Sequence, residues 1–150
     1  MPEDSLAPPA RLESLAQWQV GKVATAGARL TASRMPLGGR ADFAVLASLE
    51  EAGPLSQADL GRRLGLDRND VNAVVTRLDQ AGFIVRHPDP ADRRRNTVTI
   101  TPQGVLHLDQ LEGVAHEVQD ELLDGLDRHE RDLLRSLLAK VLSRHGAQPS

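Results

Sequence analysis

Apolar residues recur at helical spacing from about Leu12 to Met35, at Leu12, Leu15, Val23, Ala26 and Leu30, and predict one long helix that Pro36, Gly38 and Gly39 end. A second helix is predicted from Arg40 to Ala52, with Phe43, Leu46 and Leu49 on one face and Gly53 behind it. Ser56 then reads as an N-cap, with Asp59 as its capping-box-like partner, and Ala58, Leu60 and Leu64 give a short helix an apolar side that Gly65 closes. After Leu66, Asp67 is a second N-cap, again with an acid (Asp70) three residues on. The helix from Arg68 to about Ala81 carries Val71, Val74, Val75 and Leu78 as one buried stripe. Its opposite face is Asn69, Ala73, Thr76 and Gln80, flanked by Asn72 and Arg77. Two short helices joined by a tight Gly-containing turn form a helix-turn-helix.

The period changes after Gly82. Phe83-Ile84-Val85 and the alternating run Thr97–Thr101 predict two strands, and the Pro-, Asp- and Arg-loaded loop from His87 to Asn96 is the tip between them. A lone hairpin is not stable in water, so this one must lean on the preceding helices as a wing. Thr101 caps a further helix beginning at Pro102 and continued by Leu108, Leu111, Val118 and Leu122. A last helix, about His129–Arg144, is dense in apolar residues at 133, 134, 137, 138, 141 and 142, a stripe wider than one small lobe covers. A second copy of the chain is the simplest cover. The fold class expected is mainly α with a small β-hairpin wing. The winged helix-turn-helix lobe spans 36–104, long helices at 11–35 and 105–145 serve dimerisation, and tails fall at 1–10, with three prolines, and at 146–150.

Composition narrows the chemistry. Apolar residues make up 40% of the chain but aromatics only 2%, so the core must be built from Leu, Val and Ala, which suits helix packing. There is no cysteine, which excludes disulfides, thiolate metal sites, a cysteine nucleophile and thiol-based redox sensing. No signal-peptide pattern and no run of eighteen apolar residues occurs, so the expectation is a soluble cytoplasmic protein with no membrane partner. The net charge of −3 is unevenly placed. Residues 1–54 carry five Lys/Arg and six Asp/Glu, residues 55–101 eight and six, and residues 102–150 five and nine. The middle third is the basic part, which makes a local nucleic-acid surface compatible with an acidic chain.

The recognition-helix candidates are Arg68, Asn69, Asn72, Ala73, Thr76 and Arg77. Asn pairs with adenine, Arg with guanine, and Ala or the Thr methyl packs on the thymine methyl, a mixture that suits the major groove. The alternative is an ordinary solvated face. Ser56 and Gln57, at the N-terminus of the preceding helix, are candidates for the DNA backbone. In the loop, Asp92, Arg93, Arg94 and Arg95 form the wing candidates. Three adjacent arginines repel one another and are relieved by an anion, such as a narrow minor groove; salt bridges to Asp89 and Asp92 are the competing reading.

The run Asp89-Pro-Ala-Asp92-Arg-Arg94, followed by Val98-Thr-Ile-Thr101-Pro-x-Gly104, resembles the wing signature of the MarR family of winged-helix regulators. Leu66-Asp67-Arg68, Val71, Val75-Thr76-Arg77-Leu78 and Gly82-Phe83-Ile84 are similar to that family's recognition helix and its exit. The resemblance spans about residues 12–145. It implies a homodimer, built by the first and last two helices, that binds double-stranded DNA at a pseudo-palindromic operator and regulates transcription, most simply as a repressor. It also implies that Asp92-x-Arg94 marks the wing, with Arg94 entering the minor groove, and that Arg77 is a flanking phosphate or salt-bridge residue. A small anionic or aromatic ligand is a further implied partner; Trp18 and Arg29 are its candidates, with an interface or core anchor as the alternative for Trp18.

No cofactor is expected. Glu112, His116 and Asp120 share helical spacing, but no His-x3-His pair exists, so no metal site is assigned. The motifs GxSxG, HExxH, the P-loop and the dinucleotide glycine turn are all missing, which speaks against an enzyme. The rival to a DNA-binding regulator is a winged-helix protein-interaction module that does not read DNA.

Overall fold

The computed structural model describes residues 7–92 and 95–146. Its elements run α1 (Ala10–Glu13), α2 (Ala16–Arg34), α3 (Gly39–Ala52), β1 (Leu55–Ser56), α4 (Gln57–Leu64), α5 (Arg68–Gln80), β2 (Ile84–Pro88), β3 (Asn96–Ile100), α6 (Pro102–Leu122) and α7 (Arg128–His145). The chain divides into two compact units, Ala28–His116 and the segments flanking it. The first of these takes in residues 28–35 and 105–116, which the sequence pattern groups with the long helices.

The Ala28–His116 unit holds the core. Val45, Leu46 and Leu49 of α3, Leu60 of α4, and Val71, Val74, Val75 and Leu78 of α5 meet Ile84 of β2, Val98 of β3 and Leu108 of α6. The helical stripes therefore face one another as their 3.6-residue period requires. Gly65 closes α4 in the left-handed conformation (φ 65°), and Asp67 opens α5 two residues later, accepting the Asp70 N–H at 2.8 Å.

The sheet has three antiparallel strands in the order β1-β3-β2. Ile84 pairs with Ile100 and Arg86 with Val98 in the hairpin, while Leu55 pairs with Val98 across the other edge of β3. The sequence pattern predicts the hairpin but not β1, since two residues are too few to show alternation. The hairpin strands sit later and earlier than expected: β2 runs to Pro88, past Val85, and β3 begins at Asn96. Pro88 has no N–H to give and stands on an edge strand, where that omission is tolerated.

In the other unit the expected single helix from Leu12 is instead two. Ser14 interrupts it: its hydroxyl donates to the Arg11 carbonyl at 3.1 Å, and the Leu15 N–H drops to the Leu12 carbonyl, three residues back. A serine offering the backbone a local partner is a known competitor of helix continuity. The Gln19 side-chain amide spans the break, donating to the Glu13 carbonyl at 2.9 Å. The tail expected at 1–10 lies outside the described residues up to position 6, and its last residue, Ala10, already opens α1. Most of the tail expected at 146–150 also lies outside them.

At the other end of the chain, α7 opens on a full capping box. Asp127 accepts the Glu130 N–H at 2.9 Å, and Glu130 accepts the Asp127 N–H at 3.1 Å. Arg131 ties α7 back by donating to the Leu126 carbonyl and to Asp120, at 3.1 and 2.9 Å. No residue of α7 is buried within the single chain.

Candidate nucleic-acid interface

Helix α5 is anchored from one side only. Val71, Val75 and Leu78 are inaccessible to solvent and Val74 nearly so. On the other side Arg68, Asn69, Asn72, Ala73 and Gln80 are exposed and Thr76 is half-exposed. The amphipathic spacing thus brings three carboxamides, a guanidinium, a methyl and a hydroxyl onto one surface of the helix. That set can donate to and accept from base edges and pack on a thymine methyl.

Arg77 does not join that surface in the same way. Its guanidinium donates to Asp42 in the first turn of α3, a residue only 7% exposed, while the Arg77 side chain itself stays 44% exposed. A second ion pair, Arg86 Nε to Asp79 at 3.2 Å, links the end of α5 to the wing.

At the start of α4 the Ser56 hydroxyl is fully engaged. It accepts the Asp59 N–H at 3.0 Å and donates to Asp59 Oδ2 at 2.7 Å. Asp59 also accepts from Arg62, and the Ser56 hydroxyl, then the Arg62 guanidinium, hold its carboxyl below the usual carboxylate range; Arg95 of the wing adds to the effect. Ser56 and Gln57 thus stand at the N-terminus of α4 with the Asp59 carboxylate beside them, as the capping pattern in the sequence expects. Arg62, 72% exposed, and Arg63, paired with Glu51, are further cations of α4 that the sequence pattern did not single out.

The wing tip is organised by its own backbone. The Asp89 N–H donates to the Arg95 carbonyl at 2.8 Å, the Arg95 N–H to the Asp92 carbonyl at 2.9 Å, and the Ala91 N–H to the Asp89 carboxylate at 2.9 Å. Asp92 and Arg95 are exposed there. Arg93 and Arg94 lie outside the described residues.

Trp18, half-buried on α2, lies under Lys22, whose Nζ is 5.3 Å from the ring centroid. Both line a groove of about 480 Å³ with Leu12, Leu15, Gly21 and Thr25. Arg29, exposed on the same helix, is not among the lining residues; the cation beside the indole is Lys22, one turn away, which the sequence reading passed over. Among the described residues no helix is long and apolar enough to cross a membrane.

Residues 39–95 match the model of the MarR family. The chain is 31% identical over 100 residues to the HTH-type transcriptional repressor NicR of Pseudomonas putida, covering 67% of this chain and 63% of NicR. It spans about three fifths of the length of the curated relatives it matches. Among solved structures, a probable transcriptional regulator from Pseudomonas aeruginosa is 33% identical with a TM-score of 0.73, the match covering 87% of this chain and 98% of that one. BpsR of Bordetella bronchiseptica, whose DNA binding is regulated by 6-hydroxynicotinic acid, is 26% identical with a TM-score of 0.70, covering 82% of this chain and 95% of BpsR.

Proposed function

Because the chain belongs to the MarR family, we propose that it is a homodimeric, sequence-specific DNA-binding regulator of transcription that acts in the cytoplasm as a repressor. The observation that carries this reading is α5: an apolar stripe locked into the core, with Arg68, Asn69, Asn72, Ala73 and Thr76 turned outward together. In the proposed complex α5 lies in the major groove, and Asn69 and Asn72 read adenines while Arg68 reads guanine or phosphate. The wing, with Asp92, Arg93, Arg94 and Arg95, follows the adjacent minor groove, and the amides at Ser56 and Gln57 meet the backbone. Wing and helix would together meet both grooves, where an interaction module has no use for that pairing.

Dimerisation is supported by what the single chain leaves uncovered. Leu133, Leu137, Leu138, Val141 and Leu142 of α7 are 39–64% exposed. Apolar surface is worth about 25 cal/mol per Å² when removed from water, so a two-fold partner across α7 is strongly favoured. A two-fold dimer places its two recognition helices on half-sites about 34 Å apart, which calls for a pseudo-palindromic operator. The NicR and BpsR matches support repression and release by a small aromatic or anionic ligand, for which the Trp18–Lys22 groove offers an indole and an ammonium, with Arg29 on the same helix. Sedimentation of the protein alone and with a duplex selected from random sequences tests the reading. It expects a dimer that protects two half-sites; a monomer, or a footprint of a single half-site, counts against it.

A further inference from the structure

The α5 surface has an inward anchor at its edge. Arg77 sits on the flank of the exposed face, yet its guanidinium donates to the Asp42 carboxylate, which is 7% exposed. The turn between α2 and α3 lies against the same guanidinium. Gly38 is left-handed there (φ 82°), a conformation that favours glycine, and a Cβ on it would stand 2.7 Å from Arg77 Nη2, so a side chain there would also push the guanidinium aside. Gly39, the first residue of α3, packs closely on Met35 and Leu111, whose side chains would lie 3.3 and 3.5 Å from a Cβ on it. One guanidinium therefore joins the α2–α3 turn, the start of α3, and α5.

The apolar contacts of α5 are three valines and a leucine, and such packing is non-directional. It locks the inward face of the helix but leaves small rotations about the axis to directional contacts. A charge-assisted hydrogen bond to a buried carboxylate is directional, and it supplies that register. The Arg77 side chain is 44% exposed, but the Asp42 carboxylate at its Nη2 balances its charge on the spot, which weakens its pull on a phosphate.

We infer that Arg77 is a positioning residue of the proposed DNA surface: paired with Asp42 beneath the Gly38 turn, it sets the rotation at which α5 presents Asn69, Asn72 and Thr76, and its charge is not offered to DNA. This rests on the DNA-binding reading above.

The test compares wild type, Arg77→Gln, Arg77→Lys, Asp42→Asn and the Arg77→Gln/Asp42→Asn double variant. Each is titrated with the selected duplex and with a scrambled one across a salt series, below the onset of thermal unfolding. The two Arg77 variants and Asp42→Asn are each expected to lower affinity for the selected duplex by roughly tenfold. None should weaken binding to the scrambled duplex, the slope of log affinity against log salt should not fall, and the double variant should be no worse than the poorer single. If instead Arg77→Gln weakens both duplexes alike, drops that slope by about 0.9 and is restored by Arg77→Lys while Asp42→Asn changes nothing, Arg77 is a phosphate contact and the inference is overturned. Should Arg77→Gln not fold, Asp42→Asn decides alone: lost preference supports the inference, retained preference overturns it. A wild type that does not distinguish the two duplexes defeats the proposed function, and this inference with it.

Discussion

The Phe83 carbonyl oxygen occupies the place where a side chain on Gly104 would begin. A Cβ there would overlap that oxygen and stand 2.8 Å from Ile100 Cγ1, so the first turn of α6 rests directly on the base of the wing. Thr101 closes the same joint, donating to the Gly82 carbonyl at 2.7 Å and accepting the Gly104 N–H at 3.0 Å. His107, one turn further, stacks on Phe83 with ring centroids 4.2 Å apart.

Gly104→Ala should therefore destabilise the lobe by about 1–3 kcal/mol, because the obstruction is backbone and cannot rotate away. Thermal unfolding followed by circular dichroism checks this, with a drop of at least several degrees expected. An unchanged midpoint would mean that the wing base is looser than the contact implies.

Acid should loosen both capped helix starts. The Glu130 N–H holds the Asp127 carboxyl below its ordinary 3.8, and the Ser56 hydroxyl and Arg62 do the same for Asp59. A carboxylate whose pKa is depressed by folding contributes stability in full above its unfolded pKa and loses it as pH falls through the lower folded value. An Asp127→Asn/Asp59→Asn variant should be less stable than wild type at pH 6. The gap between their unfolding midpoints should close as pH drops from about 5 toward 3. A gap that stays constant would remove the two carboxylates from the account.

Much of this was legible in the chain, and the reason is local. From Arg40 to Gln80 the elements announce themselves within a window of a few residues: Ser56 and Asp67 cap, Gly65 terminates, and Val71-Val74-Val75-Leu78 keeps helical period. The features that escaped depend on partners far apart or on too few residues. The Asp42–Arg77 pair joins positions 35 apart, and β1 exists only because Leu55 and Ser56 meet the free edge of β3. The Ser14 break was hidden because Leu12 and Leu15 keep helical spacing across it. Lys22 escaped because its relation to Trp18 is one of side-chain direction, which a helical period does not specify.

The exposed stripe of α7 predicts its own test. Leu137 and Leu142 are 53% and 64% exposed, so Leu137→Glu/Leu142→Glu should leave the chain folded while placing two charges in the proposed interface. Analytical ultracentrifugation should show the dimer replaced by monomer at micromolar concentration. A variant that remains dimeric would move the interface away from α7.

The most direct test of the central claim concerns Asn69 and Asn72. Wild type and an Asn69→Ala/Asn72→Ala variant are titrated with the selected duplex and a scrambled one at one fixed salt concentration. Each bidentate carboxamide–adenine contact is worth about 1–3 kcal/mol of discrimination, so the variant should lose at least tenfold in affinity for the selected duplex while binding the scrambled one as wild type does. If the variant keeps its preference, or the wild type has none, α5 does not read DNA and the account fails.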